Sequence, residues 1–454
     1  MHSKKQTLKP TIGLFTAVTI IVGTIIGSGV FVKPSSVLEY AGTSNMALWA
    51  WVIGGVLTLA SGLTIAEVGA QITRTGGLYA YIKDIYGAFW GFLTGYTLTV
   101  LYGPAIIVSL ILFLGILTTN FFALSQFWVI PIGVGIFIFL LTMNVIGTYY
   151  ANTVQNLTTL AKLIPIFAIV VFGLIFGQSG VFGQDVTQLI MNENGTVNFG
   201  RAILATLFAY DGWIMLTTMS GEMKNPQKHL PLAMLIGILI VTCVYVLINI
   251  AVFKILPASE VLQFGNGVSA EAATVLFGDI GAKIVNIGLI VSIIGTLNGK
   301  VMTFPRIPFA MAQDGLLPGS KWVQYVSHRL ETPIGAHAVM TVLTLLILSL
   351  NLLFPTVFDA DYLSEITIFI IYLFYMAAFI GLFILRYKNR GQTRAFSVPL
   401  YPFLPILALC GGLFIVVNTV ISDFLGAGIA VAGLLIGIPL YELTIRKKQR
   451  TYSK

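Results

Sequence analysis

Few side chains in this sequence can do chemistry, and three features carry most of it. The stretch GTIIGSGVF at Gly23–Phe31 sets three glycines within seven residues, with Thr24 and Ser28 among them, inside an otherwise apolar run. Each interior glycine costs a helix about 0.5–1 kcal/mol relative to alanine, so the run is expected to break. A helix that restarts there offers free N–H groups and a positive dipole end to an anion. Close helix packing through small residues is the competing reading. The second feature is Asp211–Gly212, near the middle of ATLFAYDGWIMLTTMSGEM, where a carboxylate needs either a ligand or a structural partner. The third is Lys162 in TLAKLIPIFAIV, an ammonium among apolar residues that is able to hold carbonyls freed by a broken helix, in the place of a coupling cation. Ser292, Thr296 and Asn298 add polar atoms to a later apolar run, and Tyr102 precedes Gly103–Pro104. Tyr102 reads equally as a packed aromatic or as a substrate contact.

The elements that must position these groups follow from composition. Of 454 residues, 57% are apolar and 9% charged, whereas soluble domains carry about 25% charged residues. The expected solvent is lipid. Twelve apolar segments are marked, near 11–37, 46–71, 86–118, 127–148, 153–177, 200–221, 231–254, 280–306, 334–354, 362–386, 400–420 and 424–445. Each is long enough for the roughly 20 residues of a membrane span. The connection 178–199 is rich in Gly, Asn and Gln and reads as an exposed loop. The N-terminus MHSKKQTLKP is polar and basic, with no signal-like segment.

With the N-terminus inside, the outer side holds four basic residues, Lys33, Arg201, Lys254 and Lys283. Lys162 and Lys300 fall within spans, and the other 19 of the 25 lysines and arginines lie inside. That asymmetry is the positive-inside pattern. It explains the net charge of +8 without a nucleic-acid partner and places both termini in the cytoplasm. Lys162 then lies about nine residues, roughly 13 Å, into the bilayer, too deep to snorkel comfortably. Lys300 is shallower and is expected to reach the interface. The interrupted spans are the first and the sixth, five apart. An odd repeat unit reverses its topology on the second pass, so the spacing fits a five-plus-five inverted repeat with a site at the midplane.

Seven stretches carry a resemblance over nearly the whole chain: GTIIGSGVF, TGGLYAYI (Thr75–Ile82), AKL (Ala161–Leu163), FAYDGW (Phe208–Trp213), NPQKHLPLA (Asn225–Ala233), AMAQDGLLP (Ala310–Pro318) and VPLYPFLP (Val398–Pro405). Together, and in this order, they resemble the amino acid–polyamine–organocation superfamily and its L-type amino acid transporter-like family. The resemblance implies an all-α integral membrane protein of twelve transmembrane helices with a LeuT-type inverted repeat, helices 1 and 6 discontinuous. It divides the chain into a tail (1–10), a first repeat (11–177), an extracellular loop (178–199), a second repeat (200–388), two further spans (389–446) and a tail (447–454). It implies that a substrate α-carboxylate meets the N–H groups of Gly27, Ser28 and Gly29, near Ile25. The α-ammonium meets carbonyls around Phe208, Ala209 and Asp211, and Phe208 acts as an aromatic gate. Lys162 replaces a sodium ion by bridging the first span to Ser292 or Thr296. The implied activity is sodium-independent exchange in the cell membrane of small to medium neutral amino acids such as serine and threonine, without a cofactor. Proton-linked amino acid or polyamine transport is the alternative, and it requires Lys162 or Asp211 to titrate.

Two departures matter. Members that join a heavy subunit do so through a cysteine between spans 3 and 4, and here 118–126 reads TTNFFALSQ, so no disulfide-linked partner is expected. Asp211 favours cationic side chains if exposed and leaves the site neutral if paired. Other classes find little support. The two cysteines, Cys243 and Cys410, lie in apolar runs, and the histidines His2, His229, His328 and His337 gather no metal or nucleophile constellation. There is no charged ring or filter-like repeat for a channel. GTIIGSG lacks the preceding strand and following Gly-Lys-Ser/Thr of a phosphate loop.

Overall fold

The computed structural model describes residues 8–192, 196–327, 329–355, 358 and 360–452; Lys4, Lys5 and Lys454 of the charge pattern, and His2 and His328, lie outside them. Among the described residues the protein is helical and has no strand, only isolated bridges at Ile12–Met223 and Thr43–Asp185. The helices are α1 (Leu14–Ile25), α2 (Gly29–Ala41), α3 (Ser44–Gln71), α4 (Leu78–Tyr86), α5 (Ala88–Tyr96), α6 (Gly103–Phe121), α7 (Val129–Ile146), α8 (Thr148–Phe176), α9 (Thr187–Asn192) and α10 (Phe199–Ala209). They continue with α11 (Pro226–Ile255), α12 (Ala258–Phe264), α13 (Val268–Phe277), α14 (Asp279–Thr303), α15 (Arg306–Gln313), α16 (Ser320–Val323), α17 (Ile334–Leu353), α18 (Ala360–Lys388), α19 (Phe403–Ser422) and α20 (Phe424–Tyr452).

Among the described residues, eleven helices or joined helical runs are long and apolar enough to cross a membrane. The first expected span is absent from that count because it is divided: α1 has 12 residues and α2 has 13, on either side of Ile26–Ser28. Ile164, Phe167, Phe424 and Leu425 lie more than 60% exposed, the reverse of a water-soluble surface and the pattern expected of a multi-pass protein facing lipid. Inside, α3 packs along α11, α14 along α8, and α1 sits between α11 and α8. One large apolar cluster runs through these helices and includes Trp51, Tyr245 and Ile293.

Local chemistry sets several boundaries. Thr43 caps α3 by accepting from the Met46 N–H (3.2 Å), and Asn198 caps α10 by accepting from Arg201 (3.2 Å). Thr97–Tyr102 forms a π-helical turn ahead of Pro104, which opens α6. The third span thus carries its π-helical turn just before the proline and runs on without a break to Phe121. The 178–199 connection is less exposed than its composition suggests. Val186 and Ile190 are buried, and the Val186 N–H donates to Gly42 (3.0 Å).

At the end bearing the N-terminus, a charged cluster ties the α3–α4 connection to the end of α15. Arg74 meets Asp84 (2.7 Å) and Asp314 (2.9 Å), Lys83 meets Asp314 (2.7 Å), and the Tyr79 hydroxyl donates to Asp314 (2.8 Å). Burial alone would raise the Asp314 carboxyl, but Lys83, Arg74 and Tyr79 outweigh it and hold it below its ordinary value. A depressed carboxylate contributes stability that is present above its unfolded pKa and lost as pH falls through the folded one. Asp314→Asn is therefore expected to lower the melting temperature at pH 7, with the gap to wild type closing below about pH 4. Thermal melts of the detergent-solubilised protein across that range check it.

Candidate substrate site

The two interruptions expected from Gly and Asp-Gly chemistry face each other. The first helix stops at Ile25, Ile26 turns extended (φ −70°, ψ 94°), and α2 restarts at Gly29. Among the described residues nothing accepts from the N–H groups of Gly27, Ser28 or Gly29. On the other side α10 ends at Ala209, Tyr210 and Asp211 turn, and a 3-10 helix resumes over Trp213–Glu222. Gly212 takes φ +116°, and a Cβ there would sit 2.7 Å from the Thr24 carbonyl oxygen. Only glycine meets both conditions. Where α2 begins, a Cβ on Gly29 would lie 3.0 Å from the Ala209 Cβ, so the start of α2 packs directly against the end of α10. Thr24 Oγ1 donates to the Gly212 carbonyl at 3.3 Å and joins them again.

The carbonyls released by the first break are held by three side chains from two other helices. Lys162, wholly buried in α8, donates from Nζ to the Gly23 carbonyl (2.7 Å) and to the Ile26 carbonyl. From α14, Ser292 Oγ donates to Ile26 (3.1 Å) and Gly27 (3.1 Å). Thr296 Oγ1 lies 3.3 Å from both the Gly23 and Ile26 oxygens and 3.0 Å from the Ser292 oxygen. One ammonium and two hydroxyls thus converge on these carbonyl oxygens, and Lys162 does not snorkel.

Asp211 is partnered. Its Oδ2 accepts from the Tyr102 hydroxyl at 2.9 Å and lies 3.9 Å from Lys300 Nζ. Lys300 corrects an expectation. Its side chain is 3% exposed and turned inward to Asp211, near the rings of Tyr102 (5.7 Å) and Phe304 (5.8 Å). The reason is length. The helical run does not end near residue 306 but continues through α15 to Gln313, so more helix follows Lys300 than the apolar pattern implied.

Of the residues singled out in the sequence, Asn298 turns away and bonds Asn144 (3.0 Å), the Ala151 carbonyl (3.1 Å) and Gln155 (2.9 Å), whereas Ile25, Gly27, Ser28, Gly29, Tyr102, Lys162, Phe208, Ala209, Asp211, Ser292 and Thr296 gather around the paired breaks. One that the sequence did not single out joins them. Tyr245, wholly buried in α11, donates from its hydroxyl toward the Ala209 carbonyl (2.8 Å) and the Ile25 carbonyl (3.1 Å), one on each side of the paired breaks. Gly27, Ser28, Phe208 and Asp211 are partly exposed, whereas Trp213–Ser220, which lie toward the N-terminal side, are buried throughout. Phe208 carries the Lys33 ammonium 4.9 Å from its ring centre. Among the described residues no group of histidine, cysteine or acidic side chains is arranged to hold a metal.

A family model described as amino acid permease matches residues 12–438. The chain is 49% identical over 442 residues to the serine/threonine exchanger SteT of Bacillus subtilis (strain 168), an alignment covering 97% of this chain and 98% of that one. It is 32% identical over 450 residues to the human cystine/glutamate transporter (97% and 86% covered) and 31% identical over 464 residues to the human Asc-type amino acid transporter 1 (98% and 84%).

Proposed function

The chain belongs to the amino acid permease family, and from that premise we propose a sodium-independent exchanger of small to medium neutral L-amino acids, serine and threonine foremost, working by alternating access. The observation that carries this reading is the pairing of two breaks of opposite character. One offers free N–H groups at Gly27, Ser28 and Gly29, the other offers carbonyls around Phe208, Ala209 and Asp211, and a zwitterion needs both. Its carboxylate takes the first set, near Ile25, where the dipole of α2 favours an anion. Its ammonium takes the second, sharing with the Tyr245 hydroxyl acceptors that each have two lone pairs. Phe208 closes over the bound molecule.

Counting α1 and α2 as one span gives twelve. The divided spans are then the first and sixth, which supports two inverted five-helix repeats over 11–177 and 200–388 with two further spans behind them. Lys162, Ser292 and Thr296 do the work of a sodium ion, so no ion gradient is needed to assemble the site. Asp211 is tied to Tyr102 and faces Lys300, which favours a neutral substrate side chain. Burial of Trp213–Ser220 beneath a partly exposed Phe208 supports an arrangement open toward the 178–199 side, with both termini in the cytoplasm. The 118–126 connection holds no cysteine, in keeping with a protein that works without a disulfide-linked subunit.

Proteoliposomes test the reading. Labelled serine is expected to enter vesicles preloaded with serine or threonine at the same rate in sodium and in choline buffer, and to enter empty vesicles at least tenfold more slowly. Fast uptake into empty vesicles under an imposed pH gradient would reject exchange in favour of proton coupling.

A further inference from the structure

Lys33 lies outside the machinery assigned so far. It sits four residues beyond Gly29 on α2 and so on the same face, about 6 Å further from the break. Its ammonium rides over Phe208, 4.9 Å from the ring centre, within the range of a cation–π contact. The side chain is half-buried and, among the described residues, makes no ion pair. The nearby guanidinium of Arg201 lies over Tyr40, 4.5 Å from its ring centre, and adds a second positive charge on the same pair of helices, α2 and α10. Glu39, also on α2, is exposed and stands six residues from Lys33, about 240° around the helix. Lys33 thus sets a positive charge over Phe208 above the breaks, and deeper in, Asp211 is engaged by Tyr102 and Lys300.

We propose that Lys33 is a charge filter at the entrance: its uncompensated ammonium, held over Phe208, repels amino acids with cationic side chains and admits neutral and anionic ones. The proposal rests on the exchanger reading and names the substrate class that the site refuses. A zwitterion with a neutral side chain has no net charge and is little affected. A lysine or arginine substrate carries an extra positive charge past the ammonium. At a separation of about 10 Å and an effective dielectric of 20–40, that repulsion lowers occupancy by roughly four- to twentyfold. The aromatic ring contributes by position. It holds the ammonium over the pore instead of letting a flexible lysine stem swing outward to water.

The test is the ratio of inhibition constants for arginine and alanine against labelled serine counterflow. Measurements are made on wild type, Lys33→Met, Lys33→Gln and Lys33→Arg at low and at physiological ionic strength. Removing the charge is expected to lower the arginine-to-alanine ratio about tenfold in both neutral variants, and Lys33→Arg is expected to restore the wild-type ratio. A purely structural role for Lys33 would change both constants together and leave the ratio alone. Serine counterflow that persists in either neutral variant with an unchanged ratio would overturn the filter while leaving the exchanger reading intact. Absence of serine counterflow in wild type would overturn both.

Discussion

Lys162→Ala is expected to cut serine counterflow at least a hundredfold while the protein still reaches the membrane in normal amount. The ammonium donates to the Gly23 and Ile26 carbonyls from a site with no exposure at all. Hydrogen bonds from a charged donor contribute about 1.5–3 kcal/mol each, and a buried acceptor left bare costs about 1–3 kcal/mol. Ser292 and Thr296 keep partial hold of the same oxygens, so the net loss is smaller than the sum. Even about 3 kcal/mol against the arrangement that presents the free N–H groups amounts to more than a hundredfold in its population. The damage falls on transport because α1 and α2 do not depend on Lys162 to exist as helices. They depend on it to meet at the right angle. Lys162→Met separates packing from charge: it fills much of the same space, and its activity is expected to match the alanine variant. Transport at a wild-type rate in either variant would mean that the two hydroxyls of α14 suffice and that the ammonium has no part in the cycle.

The breaks were legible because the residues responsible are local. A Gly-rich run and an Asp-Gly pair weaken a helix wherever it lies, and both interrupted it here. Lys162 was legible because its depth could be measured from a span end that the structure places within five residues, at Thr148 against an expected 153. Lys300 was misread by the same ruler. The apolar pattern fades near residue 306, yet Arg306 is itself buried and the helical run continues to Gln313. Tyr245 left no signal, since one hydroxyl in VYVLINIAV has no periodic neighbour to mark it. Its partners Ala209 and Ile25 lie 36 and 220 residues away in sequence, a juxtaposition that exists only after folding. Asp211 illustrates the same limit. Its type announced a partner, but Tyr102 stands 109 residues off.

Arg306 shows how a charge can stay at such depth, and removing it is expected to have the largest effect on stability. Its guanidinium meets the Glu222 carboxylate through two parallel bonds, Nε to Oε1 at 2.8 Å and Nη2 to Oε2 at 3.0 Å, with both side chains 2% exposed. Glu222 closes the 3-10 helix that follows the second break, and its carbonyl accepts from Ile12, just ahead of α1 (2.9 Å). The pair therefore clamps the ends of both divided spans nearest the N-terminus to the start of α15. Deleting one member of a buried pair costs about 3–5 kcal/mol, because the other charge is left in a low-dielectric interior, whereas replacing both by apolar residues of similar volume is often neutral. Arg306→Ala or Glu222→Ala is accordingly expected to lower the melting temperature of the solubilised protein sharply. The double variant Glu222→Leu/Arg306→Met is expected to recover most of that loss. Function is expected to separate from stability in the double variant. With the clamp gone, the two divided spans lose their ionic tie to α15, and efflux of loaded serine into amino-acid-free buffer is expected to rise severalfold over wild type. A double variant as unstable as either single one would show that the pair acts through its hydrogen bonds to the surrounding backbone and not through mutual neutralisation. A stable double variant with unchanged efflux would remove the clamp from the transport cycle altogether.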